Sequence, residues 1–539
     1  MVKAKEKINW NKKALLLIIL IGFLLRVAYI SFPAFSSEEA RISFRGYVLS
    51  SEGKDELGRD YPVLFNSSTD YQLPLVSYIT ALGVKLFGKN DLGVRIPFII
   101  IGTLLIYLVY INSKKFLKDE KFNLISTFIA ACSPALIYIS KIPNESIVLI
   151  FLLLLIFYLL TKNKINLVLV SAVLILLALT SKAAWFIMVP FITLTIFIAN
   201  NKIGTRQKMF TVILSLVFVI IAVSTFLLIP QTQRSFIENN FSIFAEQSLT
   251  SSINRLRGQG INEGWPFFVD RLLFNKLHIL FIGLVYYLSQ FSLSSFFGWF
   301  DTKSIYSFVL GGLLPKVTII PFFLGIFLLI RYKVKHISFA GILMLSITFP
   351  ALFVYPGLSL NLFILLTPIL AFIAAYGLIN FRKYFLYACL ILIILEALLL
   401  YIFLDFQNKN INEVRPLWVI NIIKYMDTLG DKSIAVSDDV SNDFPNYYAW
   451  YSNFKPNNGF QDIIFPYKVN TNIKNLIFIN SKVRINECGL NFVDDLFLSE
   501  RDYLNMRERI KEPPIKIFKD SRDKEVVFYY KNLCLEQKV

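Results

Sequence analysis

Charged side chains suited to binding a phosphate and to general-base catalysis occur at a few short stretches of this 539-residue chain. Glu38, Glu39 and Arg41 follow the first apolar segment. Four others stand beside later apolar segments: Asp70, Lys141, Glu145 and Lys182. Cations hold a phosphate, and a carboxylate can take the proton of an incoming hydroxyl. If the helices carrying these residues converge, the set predicts a site for a phosphate-linked substrate.

Each of these residues also has a plain structural explanation. Two adjacent glutamates after a helix are usually part of a solvated loop, and Asp70 is placed to cap a helix that starts at Pro74. Lys141 and Lys182 fit as cations that extend to the membrane interface from an apolar segment. Only their co-location favours a functional site over these readings.

Long apolar runs predict the elements that position these residues. The chain is 55% hydrophobic and only 17% charged, so a water-soluble globule could not bury its apolar surface. A helix of about 20 residues crosses the hydrocarbon core of a bilayer. We therefore predict an α-helical polytopic membrane bundle of about eleven spans, near 14–33, 93–112, 122–139, 145–161, 166–180, 184–200, 209–229, 313–330, 337–355, 360–379 and 384–404.

The distribution of charge predicts the orientation of this bundle. Net charge is +18, but residues 405–539 hold 19 basic and 19 acidic side chains, so the excess lies in the membrane part and does not indicate nucleic acid. Lys and Arg gather at the N-terminus and in every second connection, which predicts that these lie in the cytoplasm. The stretches 34–74 and 230–312 and everything after 404 are then extracytoplasmic.

Two segments test this topology. Residues 277–300 are apolar enough to resemble a span, but a crossing there would place Arg331 outside, so we favour a helix or re-entrant segment at the interface. Residues 14–33 are long enough to span and show no marked cleavage site, which predicts an uncleaved first helix in a multi-pass protein of the cell membrane.

After the transmembrane module 1–404, residues 405–539 predict a small extracytoplasmic α/β domain, because a helical stretch at 414–429 alternates with short strand-like runs. Cys488 and Cys534 are a candidate disulfide that the sequence alone does not establish. The aromatic residues here could stack on sugars or form a core. With two histidines and no zinc-type cysteine spacing, we expect no metal and no cofactor.

Short motifs in a fixed order resemble the N-terminal signature of the protein O-mannosyltransferase and aminoarabinose transferase superfamily, which are membrane glycosyltransferases of the GT-C fold class. The motifs lie at 37–40 (SEEA), 52–62 (EGKDELGRDYP), 70–75 (DYQLPL), 86–88 (LFG), 95–97 (RIP), 133–134, 140–141 and 145. The resemblance weakens beyond these positions and covers about residues 1–380.

This resemblance implies transfer of a sugar from a polyprenyl-phosphate carrier to a hydroxyl acceptor, with inversion and without a metal. The base position of the family falls on Glu38. Relatives usually have Asp followed by Glu, whereas this chain has Glu followed by Glu, so Glu39 stays a second candidate.

The resemblance also assigns binding positions. Arg41 falls near the carrier phosphate, Lys141 stands where many relatives have arginine, and Glu145 falls on the acidic position of the second outer loop. Gln72 replaces a lysine of the aminoarabinose transferases, so that phosphate contact is either missing or supplied by Lys182 or Lys276. Arg95 is either a binding residue or a structural one.

Three other functions remain open from the sequence. A transporter or flippase of lipid-linked glycans would need a polar pathway at the bilayer midplane, where Glu396 is the clearest charge. A degenerate scaffold of the same fold is kept open by the changes at 38 and 72. A metal-dependent oligosaccharyltransferase would need acidic pairs such as 438–439 as ligands. The sequence identifies neither the sugar nor the acceptor, which is a lipid, glycan or protein.

Overall fold

The computed structural model shows a mostly helical chain with a small C-terminal β-sheet. It describes residues 2–30, 35–55, 58–66, 71–162, 166–198, 205–227, 247–268, 276–289, 291–298, 312–332, 348, 363–410, 417–429, 434–437, 444–451, 476–479, 495–506, 513–519 and 524–531. Asp70, the acidic pair 438–439, Cys488, Cys534 and nearly all of the predicted span 337–355 lie outside these described residues.

The helices up to residue 227 are α1 (Val2–Val27), α2 (Ser37–Glu52), α3 (Leu75–Phe87), α4 (Asp91–Phe116), α5 (Glu120–Ala131), α6 (Pro134–Ile139), α7 (Glu145–Leu160), α8 (Leu167–Ala178), α9 (Lys182–Ile198) and α10 (Thr205–Leu227). The later ones are α11 (Gln247–Asn262), α12 (Lys276–Ser289), α13 (Leu293–Phe297), α14 (Ile319–Arg331), α15 (Thr367–Leu378), α16 (Lys383–Asn410), α17 (Leu417–Thr428), α18 (Phe444–Tyr451) and α19 (Glu500–Met506). The strands are β1 (Phe65–Asn66), β2 (Tyr71–Gln72), β3 (Ile434–Ser437), β4 (Leu476–Ile479), β5 (Asp495–Ser499), β6 (Lys516–Lys519) and β7 (Glu525–Lys531).

The predicted span 122–139 differs from the observed elements. Residues 122–139 form two helices, α5 and α6, because Ser133 caps the second helix by accepting from the Leu136 amide at 3.3 Å and Pro134 occupies its first turn. Among the described residues of 277–300, the segment predicted as a helix or re-entrant segment at the interface, α12 and α13 are separate helices. Among the described residues, two helices are long and apolar enough to cross a membrane, Asp91–Phe116 and Lys383–Ile402. The full set of eleven spans stays a prediction.

The chain divides into two compact units. The first comprises Met1–Tyr29, Thr69–Val76 and Arg95–Tyr401, and the second comprises Ile30–Ser68, Ser77–Val94 and Ile402–Val539. The second unit therefore contains the stretch with Glu38 as well as the C-terminal residues. The predicted domain boundary at 404 stays a prediction.

Close packing of backbones holds part of the first unit together. A methyl group added at Gly377 would lie 1.8 Å from the Pro321 carbonyl oxygen, and one at Gly325 would lie 2.1 Å from that of Ile373. Helices α14 and α15 therefore touch backbone to backbone, as small residues allow between apolar helices.

Glu396 has a structural role in the same unit. Its carboxylate accepts from the backbone amides of Lys316 and Val317, at 2.8 and 3.3 Å. These amides belong to a short 3₁₀ helix, Lys316–Thr318, that leads directly into α14. A helix start has amides without intrahelical partners, so a carboxylate satisfies them well. The clearest charge within a predicted span is therefore a helix cap.

The second unit is built around a five-stranded sheet with the order β4-β3-β5-β7-β6. Strand β3 pairs in parallel with β4 and β5, whereas β7 pairs antiparallel with β5 and β6. One apolar core joins this sheet to α17, α18 and α2, and the members from α2 are Ala40, Phe44 and Val48. Their four-residue spacing places them on one face of the helix. The predicted C-terminal mixture of helix and strand is confirmed.

Candidate active site

The first turn of α2 gives its two glutamates different environments. Ser36 caps the helix, because its hydroxyl accepts from the Glu39 amide at 3.3 Å. The Glu39 carboxylate in turn accepts from the Ser36 amide at 2.8 Å, which completes a capping box. Glu39 is 3% exposed. Its carboxylate is thus part of the helix start.

Glu38 is on the exposed side of the same turn. The side chain is 62% exposed, and one carboxylate oxygen lies 3.1 Å from Nη2 of Arg41. Arg41 itself is almost buried, so its guanidinium is a fixed cation beside a solvent-facing carboxylate. The positive end of the helix dipole also stabilises negative charge here. Of the two sequence candidates, Glu38 is the carboxylate open to an incoming ligand.

The loop after α2 is fixed by a residue that the sequence analysis did not single out. Asp55 is fully buried and accepts from the Arg59 amide at 2.8 Å and from its guanidinium at 2.7 Å. Gly53 ends α2 in the left-handed region, with φ of 71°, and packs against the ring of Tyr61. A methyl group there would lie 2.6 Å from that ring, so glycine is required. The described residues of the turn-rich motif 52–62 are therefore held together by these contacts.

Lys141 lies in the first unit and is fully buried. Its ammonium donates to the carbonyl oxygen of Ala28 and lies 4.4 Å from the ring centre of Tyr401. Burial, with the charges of Arg95 and Arg26, lowers the pKa of Lys141 to about 7. Three cations thus share one buried region, which favours a negative charge close by.

Arg26 is fully buried, as are Arg95 and Lys141. It donates to Ser140 Oγ at 3.2 Å and to the carbonyl oxygens of Gly22 and Ala131 at 2.9 and 3.0 Å. These partners are neutral, and Nη2 of Arg26 has no hydrogen-bond partner in the described part of the chain. A charge near the end of a predicted span is common, so the sequence pattern does not single out Arg26.

The remaining predicted residues stand at helix starts. Glu145 is the exposed first residue of α7, after the cap Asn144, whose side chain accepts from the Ser146 amide at 2.6 Å. Lys182 is the half-buried first residue of α9. A lysine at a helix start adds to the positive dipole there, which favours an anion.

The structure brings Glu38, Glu39 and Arg41 together in the second unit. Lys141, Glu145 and Lys182 belong to the first, and Asp70 lies outside the described residues. Across the ranges described above, no group of three or more His, Cys, Asp or Glu side chains is arranged to hold a metal ion. The expectation that no metal or cofactor is needed stays a prediction.

One further residue was not visible in the sequence. Asn446, on α18, donates through Nδ2 to Ser37 Oγ at 2.8 Å. The two residues are 409 positions apart. Ser37 directly precedes Glu38, so this hydrogen bond reaches the same first turn from the C-terminal part of the chain.

The fold and sequence agree with one class of protein, the GT-C glycosyltransferase superfamily, as the N-terminal motifs implied. Residues 71–229 match the family described as dolichyl-phosphate-mannose-protein mannosyltransferase. The crystal structure of ArnT from Cupriavidus metallidurans in the apo state superimposes with a TM-score of 0.53. The match covers 98% of both chains at 11% sequence identity, so it shows a common fold alone.

Two archaeal relatives extend the comparison. A stretch of 95 residues is 40% identical to dolichyl-phosphooligosaccharide-protein glycotransferase 2 of Archaeoglobus fulgidus. This stretch is 17% of the chain and 16% of that relative. An oligosaccharyltransferase of Archaeoglobus fulgidus in the apo form gives a TM-score of 0.43 at 13% identity, over 82% of this chain and 63% of that one.

Proposed function

We propose that this protein is a membrane glycosyltransferase that moves a sugar from a polyprenyl-phosphate carrier to a hydroxyl acceptor. The reaction inverts the sugar's configuration and needs no metal. It takes place at the outer face of the cell membrane, in a bundle of about eleven spans with a cytoplasmic N-terminus. The acceptor is a lipid, glycan or protein.

One observation carries this proposal: the first turn of α2 presents a single solvent-facing carboxylate on a rigid support. Glu39 is held in the capping box and Arg41 is nearly buried, while Glu38 is 62% exposed. A general base must reach the proton that it takes and must be held in place. Glu38 meets both needs, so we assign it as the base that accepts the acceptor's hydroxyl proton.

The cations supply the carrier side of the proposal. Arg41 lies 3.1 Å from Glu38 and can hold the phosphate near the base. Lys141 lies in the buried cationic region with Arg26, and Lys182 adds its charge to the start of α9. Fixed cations stabilise the negative charge that develops on the departing carrier phosphate. Asp70 and Glu145 complete the proposed set of residues that bind the carrier phosphate or the substrate.

The carrier class rests on the fold match. A structure of ArnT from Cupriavidus metallidurans holds undecaprenyl phosphate, a polyprenyl phosphate. Transfer from such a carrier requires a long isoprenoid chain in the bilayer, which agrees with the apolar composition of this chain. A transporter is less favoured, since Glu396 caps a helix within the described bundle.

Transfer of radiolabelled sugar from a panel of polyprenyl-phosphate sugars by purified protein in detergent tests the proposal. Glu38→Gln should lower turnover at least about 100-fold, because Gln cannot take a proton. Glu39→Gln should retain turnover, because Gln also serves in a capping box. Glu52→Gln, at the exposed far end of α2, is the matched control.

Three outcomes would count against this assignment. Loss of turnover in Glu39→Gln but not in Glu38→Gln would move the base to the buried residue. Loss on addition of a chelator would contradict the metal-free reaction. Absence of turnover with every donor, in folded protein, would favour a transporter or a degenerate scaffold of this fold.

A further inference from the structure

Helix α18, in the C-terminal part of the chain, packs against the stretch that carries Glu38. Phe35, just before α2, stacks on Trp450 with ring centres 5.9 Å apart. The ring centres of Phe35 and Tyr451 are 6.0 Å apart. Phe35, Ala40 and Phe44 share their buried core with Phe444 and Tyr447 of α18. The start of α2 is thus packed against residues more than 400 positions later in the chain.

The polar contact in this packing has a defined place on the helix. Ser37, Ala40 and Phe44 are three and four residues apart, so they lie on one face of α2, and their contacts show that this face is toward α18. Glu38 is the next residue after Ser37 and therefore points about 100° away around the helix axis. The bond from Asn446 Nδ2 to Ser37 Oγ, 2.8 Å long, thus holds the helix on a face about 100° away from the one from which Glu38 projects.

The apolar contacts and this hydrogen bond constrain the start of α2 in different ways. Contacts among Phe35, Phe44 and Trp450 stabilise the packing, but they tolerate small rotations because dispersion has little directionality. A hydrogen bond is directional, so it sets the rotation of the first turn.

An asparagine at position 446 is unfavourable for the stability of the fold. Its Oδ1 atom is buried and has no hydrogen-bond partner among the residues that the structure describes. An unsatisfied buried oxygen destabilises the fold, and an apolar residue of similar shape would remove that cost. The hydrogen bond that Asn446 Nδ2 donates to Ser37 explains the presence of an amide at this position.

We propose that Asn446 is a positioning residue that sets the direction of the Glu38 carboxylate through its hydrogen bond to Ser37. This inference rests on the proposed transferase function, with Glu38 as the base. The C-terminal residues then take part in the reaction indirectly, through the geometry of the base. Asn446 itself touches no reacting atom.

The test compares Asn446→Leu and Ser37→Ala with the wild type in kcat, KM and thermal unfolding. Both variants should lower kcat about 10- to 100-fold, since a small misplacement of a reacting group has effects of that size. KM for the carrier sugar should stay within about twofold. Asn446→Leu should unfold at the same temperature as wild type or higher.

Two control variants separate positioning from general damage. Ser37→Thr keeps the hydroxyl and should keep kcat, as a conservative rescue. Asn421→Leu makes the same chemical change on the exposed face of α17 and should alter neither kcat nor unfolding. Wild-type kcat in Asn446→Leu, or a fall in kcat matched by a fall in unfolding temperature, would overturn the proposal.

Hydrogen exchange of the amides of residues 37–41 gives a readout independent of turnover. Exchange should be faster in Asn446→Leu and Ser37→Ala than in wild type and unchanged in Asn421→Leu. If wild type shows no turnover with any donor, the proposed function and the proposed effect on the base are both wrong. Unchanged hydrogen exchange in Asn446→Leu and Ser37→Ala would then also exclude an ordering role for this contact. Turnover in wild type with unchanged exchange and kcat in the variants overturns the positioning role alone.

Discussion

Replacing Lys89 by methionine should change how the stability of the second unit depends on pH. The Lys89 ammonium lies 4.9 Å from the ring centre of Tyr47 and 5.8 Å from that of Trp450. Burial lowers the pKa of Lys89 from 10.5 to about 8, against the opposing charge of Asp427. The folded protein therefore releases this proton at a lower pH than the unfolded chain does.

The direction of the effect follows from proton linkage. Between about pH 8 and 10.5 the unfolded chain binds more protons at Lys89, so its contribution to stability rises with pH. Below pH 8 both states are protonated and the contribution is constant. A shift of this size corresponds to about 3 kcal/mol, which partial solvent access reduces to about 2 kcal/mol by pH 10.

Thermal unfolding of wild type and Lys89→Met, followed by fluorescence in the same detergent at pH 7 and pH 10, measures this difference. Other lysines and tyrosines titrate in both proteins and cancel in the comparison. Wild type should gain about 2 kcal/mol relative to the variant between the two pH values. An equal difference at both pH values, or a relative gain for the variant at pH 10, would refute the reasoning.

Two further substitutions test the packing of the first unit. Glu396→Leu should lower its unfolding free energy by about 1 kcal/mol, since the partly buried amides of Lys316 and Val317 would lose their acceptor; unchanged unfolding in detergent would contradict the capping role. Gly377→Ala should reduce the yield of folded protein sharply, because its methyl group would lie 1.8 Å from a carbonyl oxygen, whereas Gly258→Ala, which meets nothing within 4 Å, should be tolerated. Size-exclusion profiles of both glycine variants distinguish a tolerated methyl from a clash.

Much of the fold followed from local patterns. The helical content and the small C-terminal sheet are confirmed, and residues 71–229 match a family of the kind that the motifs implied, because apolar periodicity and ordered motifs occur within short stretches of sequence. The break between α5 and α6 was missed, although Ser133-Pro134 is a typical helix start. An apolar run alone does not show where a helix is interrupted.

The candidate site was less accessible to sequence reasoning. The motifs favour Glu38 as the base and leave Glu39 as a second candidate, although Ser36 three positions before Glu39 is the signature of a capping box. That signal was available and separates the two roles. Lys141 was expected as an anchor or a phosphate ligand, and only tertiary packing shows that its ammonium is buried against Ala28. The contact of Asn446 with Ser37 joins distant residues, which no local pattern encodes.

The shared core of α2 and α18 has a consequence for the synthesis of the chain. Ser37 leaves the ribosome 409 residues before Asn446, a delay of about 20 to 80 s at usual elongation rates. Until then the apolar face with Ala40, Phe44 and Val48 lacks its final covering. During this time the apolar face of α2 is either exposed or bound by another protein. A chain arrested before α17 would carry Glu38, the proposed base, on a helix that lacks its packing partners.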